Sequence, residues 1–195
     1  MGQGRNSIYL AQQGWDVTGV DASDEGVRLA KLEAARLGLQ LTAVVKTFEE
    51  FDLGEDQWDL IVILYEPTRL LAPRVARALK HGGAVVVEDR HVDSKRVWPA
   101  GAFFENNELV SFFPTLRVLR YEDVWARPDW TVKSLDARLV RLLAEKPLPR
   151  KSGCLWEGKD VPAGASTCWG VLTFRCQLDG WVFTREKCTA GSGSH

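Results

Sequence analysis

The stretch that decides the fold is Gly2-Gln3-Gly4-Arg5-Asn6-Ser7, which is followed by the short strand pattern Trp15-Asp16-Val17-Thr18-Gly19-Val20-Asp21. Two glycines before a helix let a ligand approach the backbone, and the N-terminus of the helix favours negatively charged groups. Asp21 ends the strand, where a carboxylate can accept hydrogen bonds from a ribose diol. The loop, the helix and the strand with its final acid predict a nucleoside-binding crevice in an open sheet.

Downstream of this stretch, strand and helix patterns alternate. Ser23 can cap a helix that ends at Gly38. The continuous apolar runs at residues 59–65 and 84–88 are typical of strands covered on both faces, and a helix is predicted between them at residues 69–80. Two later strands are predicted at residues 116–125 and 138–144, and the apolar spacing of the second segment also suits a helix. Strands separated by helices predict an α/β fold with a parallel sheet.

Composition narrows the class of protein. The 195 residues are 45% hydrophobic and 26% charged, which is ordinary for a globular protein and excludes disorder along the whole chain. Lys and Arg number 25 against 26 Asp and Glu, so the basic excess of a nucleic-acid-binding protein is missing. We find neither an apolar run of membrane-spanning length nor a secretory signal, and we therefore expect a cytoplasmic protein without a membrane or nucleic-acid partner.

Several segments match one family in order and spacing. They are the glycine loop quoted above, Gly19-Val20-Asp21-Ala22-Ser23, Trp58-Asp59-Leu60-Ile61-Val62, Leu79-Lys80-His81-Gly82-Gly83-Ala84 and Arg141-Leu142-Leu143-Ala144-Glu145-Lys146-Pro147. Through them, residues 1 to about 148 resemble the class I S-adenosylmethionine-dependent methyltransferases. The Arg-Asn pair in the loop resembles most the subgroup of small-molecule and tellurite-resistance enzymes.

The resemblance implies a Rossmann-like sheet, S-adenosylmethionine as cofactor and a small molecule as methyl acceptor. It also implies the cofactor-binding residues, which are Gly2 and Gly4 along the methionine portion, Asp21 at the ribose hydroxyls, and Ala22, Thr47 and Phe48 at the adenine. An acid is common in the family where Thr47 stands, so we expect altered recognition of the adenine here.

The sheet is expected to lack its usual first strand, because in the family an apolar strand precedes the glycine loop. Without it, the two neighbouring strands would each face a gap of ~4.8 Å with unpaired backbone groups. Three explanations are open: the chain is a fragment, the sheet closes differently, or another strand fills the slot. A strand near residues 170–175 is one donor, from the same chain or from a partner, which predicts a homodimer formed by strand exchange.

Three side chains at strand ends are candidates for a catalytic role. Methyl transfer from a sulfonium is a direct displacement, so a base is needed only when the acceptor must lose a proton. Tyr65 and Glu66 follow one apolar strand, and His91, which titrates near neutral pH, follows the next. The competing interpretations are that His91 only packs or caps, and that Glu66, which precedes Pro67, only marks the entry to a helix.

The end of the chain has a different character, since Cys154, Cys168, Cys176 and Cys188 all follow residue 153. We predict a methyltransferase-like domain at residues 1–150, a small Cys-rich β module at 151–189 and a flexible tail at 190–195. The cysteine spacing contains no CxxC pair, so no metal site is predicted. Two disulfides in an oxidising compartment and buried reduced thiols remain the alternatives.

Two other functions compete with methyl transfer. The first is a non-catalytic binding or interaction protein that keeps a truncated methyltransferase fold and contacts a partner through Trp156, Trp169 and Trp181. The second is a dehydrogenase, which is less favoured because Ser7 replaces the third glycine of the dinucleotide-binding loop.

Overall fold

The secondary structure follows the predicted alternation of strands and helices. The computed structural model describes residues 1–98, 101–128, 135–149, 153–177 and 180–188. The elements up to residue 147 are, in chain order, α1 (Arg5–Gln12), β1 (Thr18–Asp21), α2 (Asp24–Arg36), β2 (Thr42–Val45), β3 (Trp58–Leu64), α3 (Thr68–Ala78), β4 (Leu79–Arg90), a 3-10 turn (Val92–Arg96), α4 (Glu108–Ser111), β5 (Arg117–Ala126) and β6 (Ala137–Glu145). The Rossmann-like α/β class is confirmed, and β6 forms as the strand predicted at 138–144.

The chain divides into two units, Met1–Pro147 and Leu148–His195. The division lies close to the boundary that we predict near residue 150. The predicted flexible tail at residues 190–195 lies outside the described residues.

The first unit contains two sheets. In one, β1 pairs in parallel with β2, and in the other the strand order is β3-β4-β6-β5. The strands β3 and β4 are parallel, but β6 runs antiparallel to both β4 and β5. The prediction of a wholly parallel sheet was therefore wrong, because β6 follows β5 as its direct antiparallel neighbour without a crossover helix.

The second sheet packs its core on one face. Its alternating inward residues include Ile63, Val87 and Leu142, which lie side by side in the register of β3, β4 and β6. Val75 of α3 and Leu109 of α4 cover them and are almost completely buried. Side chains on a strand alternate between faces, so Val62, Val86 and their neighbours point to the opposite side.

The helix before β4 ends earlier than predicted. The sequence predicts a helix through residue 80, whereas α3 ends at Ala78 and the backbone is already extended at Leu79. Gly83 lies close to β3, and a Cβ there would stand 2.7 Å from the carbonyl oxygen of Trp58. Because the two strands approach closely at this glycine, β4 begins before residue 84, where its start is predicted.

A slot separates β1 from β3. Each of these strands pairs along one edge, with β2 and β4 respectively, and among the described residues no strand pairs with the other edge. This agrees with the expected absence of a first strand from the sheet.

The second unit is built of short strands, which are β7 (Cys154–Trp156), β8 (Lys159–Val161), β9 (Ser166–Trp169), β10 (Leu172–Gln177) and β11 (Gly180–Lys187). They form a two-stranded ribbon and an antiparallel sheet in the order β11-β10-β9. Two disulfides, Cys154–Cys176 and Cys168–Cys188, join Cα atoms 5.7 and 5.9 Å apart. Within the described ranges, none of the helices has the length and apolar character needed to cross a membrane.

Candidate functional site

The slot between β1 and β3 holds a cavity of about 430 Å³, which we call the crevice cavity. Residues 16–20 line it from the edge of β1, and residues 60–66 line it from β3. Gly2 and the first turn of α1 close it at the carboxyl ends of the strands. Ligands of open α/β sheets bind at this end, where the chain changes direction across the sheet.

Asp21 ends β1 and does not itself belong to the described lining of the crevice cavity, but it is bonded to Met1 and Gly2, which do, and it is held by three donors. Its Oδ2 accepts hydrogen bonds from the Met1 ammonium at 2.8 Å and the Gly2 amide at 2.5 Å, and its Oδ1 accepts from the Ser23 amide at 2.9 Å. Burial alone would raise the pKa of Asp21, but these hydrogen bonds outweigh it and lower the pKa to about 2. The side chain is therefore a carboxylate at any physiological pH.

The two loop glycines have different surroundings. Gly2 has a φ of 55° and lines the cavity, and no described atom lies within 4 Å of the place where its Cβ would be. Gly4 has a φ of 86° and faces α2, where a Cβ would stand 2.7 Å from the Cβ of Ala30. The structure thus brings Gly2 to the cavity, whereas Gly4 lets α1 and α2 pack closely.

The structure brings only one of the three predicted adenine contacts to the wall of the crevice cavity. In the described part of the chain, Phe48 belongs to the cavity wall, but Ala22 and Thr47 do not. The Thr47 hydroxyl accepts a hydrogen bond from the Glu50 amide, and the Glu50 carboxylate accepts one from the Thr47 amide. This reciprocal pair caps a turn, so Thr47 has a local structural role.

Tyr65 and Glu66 lie together on the β3 side of the crevice cavity. Tyr65 has a φ of 59°, which is uncommon for a bulky residue and typical of functional sites, and its hydroxyl donates to the Glu88 carboxylate. Glu66 is half-buried, and burial raises its pKa, with the nearby Asp21 carboxylate adding to the rise against the opposing Met1 ammonium. Glu66 is thus the carboxyl group of this site best suited to exchange a proton.

His91 has a structural environment and does not line the crevice cavity as described. It is only 2% exposed, and its ring bonds at both nitrogens. Nδ1 accepts from the Asp93 amide at 3.1 Å, which caps the 3-10 turn, and Nε2 lies 3.0 Å from Oδ1 of Asn106. This arrangement favours the capping interpretation over the predicted role as a base.

The far end of the cavity is formed by residues that the sequence patterns do not single out. Phe51, Leu53 and Trp58 close it near the amino end of β3, and Leu71 of α3 adds a further apolar wall. Arg74 fixes the segment that carries these walls by donating to the carbonyl oxygens of Phe48 and Phe51. The Arg74 position offered no signal in the sequence, because arginines at helical spacing normally form a solvated face.

Comparison with known proteins agrees with this geometry. Residues 1–85 match the family model described as a methyltransferase domain. An uncharacterized methyltransferase from Synechocystis sp. is 35% identical over 111 residues, covering 53% of this chain and 50% of that protein. The chain spans about half the length of the curated relatives it matches.

Solved structures share the fold. TehB from Haemophilus influenzae superposes with a TM-score of 0.65 and 21% identity, covering 74% of this chain and 55% of that chain. A SAM-dependent methyltransferase from Methanosarcina mazei superposes with a TM-score of 0.62 and 18% identity, covering 76% of this chain and 90% of that chain. At these identities the likeness shows the fold alone. Together with the family match, this likeness shows that the first unit is similar to methyltransferase domains and shares their fold.

Proposed function

We propose that the first unit binds S-adenosylmethionine at the mouth of the crevice cavity and transfers its methyl group to a small-molecule acceptor. The observation that carries the proposal is the meeting of Gly2, Asp21 and Glu66 at the carboxyl ends of β1 and β3. The proposal also draws on the family match and on the predicted roles of these residues.

The residues at the mouth fit this cofactor. A carboxylate offers about four acceptor positions, and the described donors use three of those on Asp21, which leaves Oδ1 able to accept from a ribose hydroxyl. Gly2 leaves open space beside the backbone, and the Phe48 side chain provides an apolar surface for a planar base. The cavity volume lies within the range of small-molecule sites.

The bound cofactor would supply an electrophilic methyl group on a sulfonium. The chain would then act mainly by holding the acceptor in line and excluding water. Glu66 can take a proton from the acceptor at its carboxylate oxygen, because its raised pKa brings it closer to the pH at which it must both accept and release protons. Tyr65 is proposed to position the acceptor, and Ala22 and Thr47 remain proposed neighbours of the adenine.

The test is a calorimetric titration of the full chain with S-adenosylhomocysteine. We expect Asp21→Asn to weaken binding at least about tenfold, because a hydrogen bond to a charged group is lost. Asp59→Asn is the matched control, since Asp59 is an exposed carboxylate on β3 that pairs with Lys80 away from the cavity. Absence of binding by a folded wild-type chain would overturn the proposal, and equal affinities of the two variants would overturn the ribose role of Asp21.

The second candidate is the non-catalytic interaction protein, which one observation favours. Trp169 is 74% exposed on the second unit, whereas Trp156 and Trp181 pack edge to face with ring centroids 5.6 Å apart. Exposed tryptophan is frequent at binding surfaces.

A homodimer formed by strand exchange stays a proposal, but its donor at residues 170–175 lies largely in β10, which is paired on both edges. Light scattering at low protein concentration would detect such a dimer.

A further inference from the structure

Residues 46–53 form part of the wall of the crevice cavity, and we call them the wall segment. This segment connects β2 to β3 and has no regular secondary structure. It starts beside Asp21, whose carbonyl oxygen accepts a hydrogen bond from the Lys46 amide at 3.0 Å. The side chains of Phe48 and Phe51 line the cavity. A base on a ribose held at Asp21 would therefore lie beside the wall segment.

Hydrogen bonds within the wall segment and at its end shape its turn. Thr47 and Glu50 form the reciprocal pair described above, and the Phe51 amide donates to the Thr47 carbonyl oxygen at 3.1 Å. The Trp58 indole donates to the Leu53 carbonyl oxygen at 2.8 Å and ties the far end of the segment to β3. The turn belongs to no strand ladder, so its remaining carbonyl groups need partners from elsewhere in the chain.

Arg74 of α3 supplies two of these partners. Its Nη1 donates to the Phe48 carbonyl oxygen at 2.5 Å, and its Nη2 donates to the Phe51 carbonyl oxygen. A guanidinium group is planar and rigid, so two bonds from one group fix both the place and the orientation of the turn. Leu71 and Val75 of the same helix line the crevice cavity directly. Helix α3 thus forms one wall of the cavity and also holds the wall segment in place.

The Arg74 side chain does not itself belong to the described lining of the cavity. It acts on a ligand through the peptide groups that carry the Phe48 and Phe51 side chains. We infer that Arg74 is a positioning residue for the adenine base of the cofactor, because it sets the place of the Phe48 ring on which that base is proposed to lie. The inference rests on the proposed function, since it needs a nucleoside at the mouth of the cavity.

The test compares S-adenosylhomocysteine with S-ribosylhomocysteine, which has a hydroxyl group in place of the adenine, by calorimetry on the full chain. Arg74→Met keeps an unbranched side chain and removes the donors. We expect this variant to bind S-adenosylhomocysteine about tenfold more weakly, because two charge-assisted hydrogen bonds that hold the turn are lost. Its affinity for S-ribosylhomocysteine should stay within about twofold of the wild type, since that ligand has no base to place on Phe48.

Arg77→Met is the matched control. Arg77 lies one turn further along α3, where its exposed side chain pairs with Glu55 at 3.4 Å, and it does not belong to the described lining. We expect this variant to keep its affinity for both ligands. Arg74→Lys should recover part of the affinity for S-adenosylhomocysteine, because an ammonium group can donate to both carbonyl oxygens. Melting curves would verify that the three variants keep the fold.

Hydrogen exchange gives a second readout, which needs S-adenosylhomocysteine alone. In the wild type and in Arg77→Met, bound S-adenosylhomocysteine should slow the exchange of the amides at residues 47–51. In Arg74→Met this protection should be reduced, because the turn is no longer held against the ligand. Mass spectrometry of peptic fragments would measure the exchange.

Equal losses of affinity for the two ligands in Arg74→Met would reveal a general effect on the fold and would overturn the inference. An unchanged affinity for S-adenosylhomocysteine, or full protection of residues 47–51 in this variant, would overturn it as well. In these cases the wild type still binds S-adenosylhomocysteine, so the proposed function stands. If the folded wild type does not bind S-adenosylhomocysteine, the proposed function falls and the inference falls with it.

Discussion

Asp89 is the residue whose ionisation most clearly lowers the free energy of unfolding. It lies on the core face of β4 with no exposed surface, and its Oδ1 accepts from the Arg90 amide at 2.8 Å. Its Oδ2 has no hydrogen-bond partner among the described residues. Burial raises the pKa of Asp89 from 3.8 to about 6, although the Arg90 amide and the charges of Arg90 and Arg69 oppose the rise.

The direction of the pH effect follows from this pKa. The folded state holds the proton more tightly than the unfolded state, so the contribution of Asp89 to the free energy of unfolding is fully present below about pH 4 and is lost as the pH rises through 6. A difference of about two pKa units corresponds to about 3 kcal/mol.

We therefore expect Asp89→Asn to raise the free energy of unfolding at pH 7 by about 1–3 kcal/mol and to flatten its fall between pH 4 and 6. Urea denaturation at several pH values would measure both effects. Asp59→Asn serves as the exposed control and should leave the pH profile nearly unchanged. A profile of Asp89→Asn that superposes on the wild type would contradict the argument.

The packing of α1 against α2 depends on a single glycine. Gly4 begins α1 and meets Ala30, which is completely buried in α2. Gly14, after the end of α1, has the same φ of 86°, but no described atom lies within 4 Å of its Cβ position. The two positions therefore share the backbone strain that alanine would meet and differ in the space available for a methyl group.

We expect Gly14→Ala to lower the free energy of unfolding by about 1 kcal/mol through backbone strain alone. Gly4→Ala should lower the free energy of unfolding by roughly a further 1–3 kcal/mol, because its methyl group overpacks the contact with Ala30. It should also weaken binding of S-adenosylhomocysteine, since the start of α1 lines the crevice cavity. Thermal melts and calorimetric titrations of the pair would measure this, and equal melting temperatures would show that the helices can separate without cost.

Across the whole molecule, covalent cross-links are confined to one unit. Both disulfides lie in the second unit and close sequence separations of 22 and 20 residues. Closing a loop of this length lowers the conformational entropy of the unfolded chain. On a chain-entropy estimate, each disulfide thereby raises the free energy of unfolding by about 3 kcal/mol. The described strands of this unit are short, so its stability depends strongly on these links.

Reduction should consequently lower the melting temperature of the second unit and leave the melting of the first unit unchanged, because no cysteine precedes residue 154. Scanning calorimetry with and without a thiol-free reductant would resolve the two transitions. The double variant Cys154→Ser with Cys176→Ser should reproduce part of the shift without reductant. A uniform shift of the entire melting profile would contradict this separation.

Local patterns were enough to predict most elements of the first unit. Ser23 caps α2 through the Gly26 amide at 3.1 Å, as its position before the acidic first turn indicated. The apolar run of β3 and the final acid of β1 were also read correctly as a strand and its end, because these leave patterns within a few neighbouring residues. The predicted cover of β3 on both faces was wrong, since Ile63 is buried on the core face but Val62 on the other face is 36% exposed. The early end of α3 was missed, since it depends on the approach of Gly83 to the distant Trp58.

The resemblance to methyltransferases, the order of the elements and the place of Asp21 at the end of β1 could all be read from the sequence, because each of these is carried by residues adjacent in the chain. Only the tertiary structure decided which candidates reach the cavity. Gly2, Glu66 and Tyr65 line or border it, whereas His91 turns inward to bond Asn106. A second cavity, on the sheet face opposite the core, was likewise not evident in the sequence, since its charged lining comes from α1, β4, β5 and β6. Side chains so far apart in the chain meet only through the register of the sheet, which local patterns do not specify.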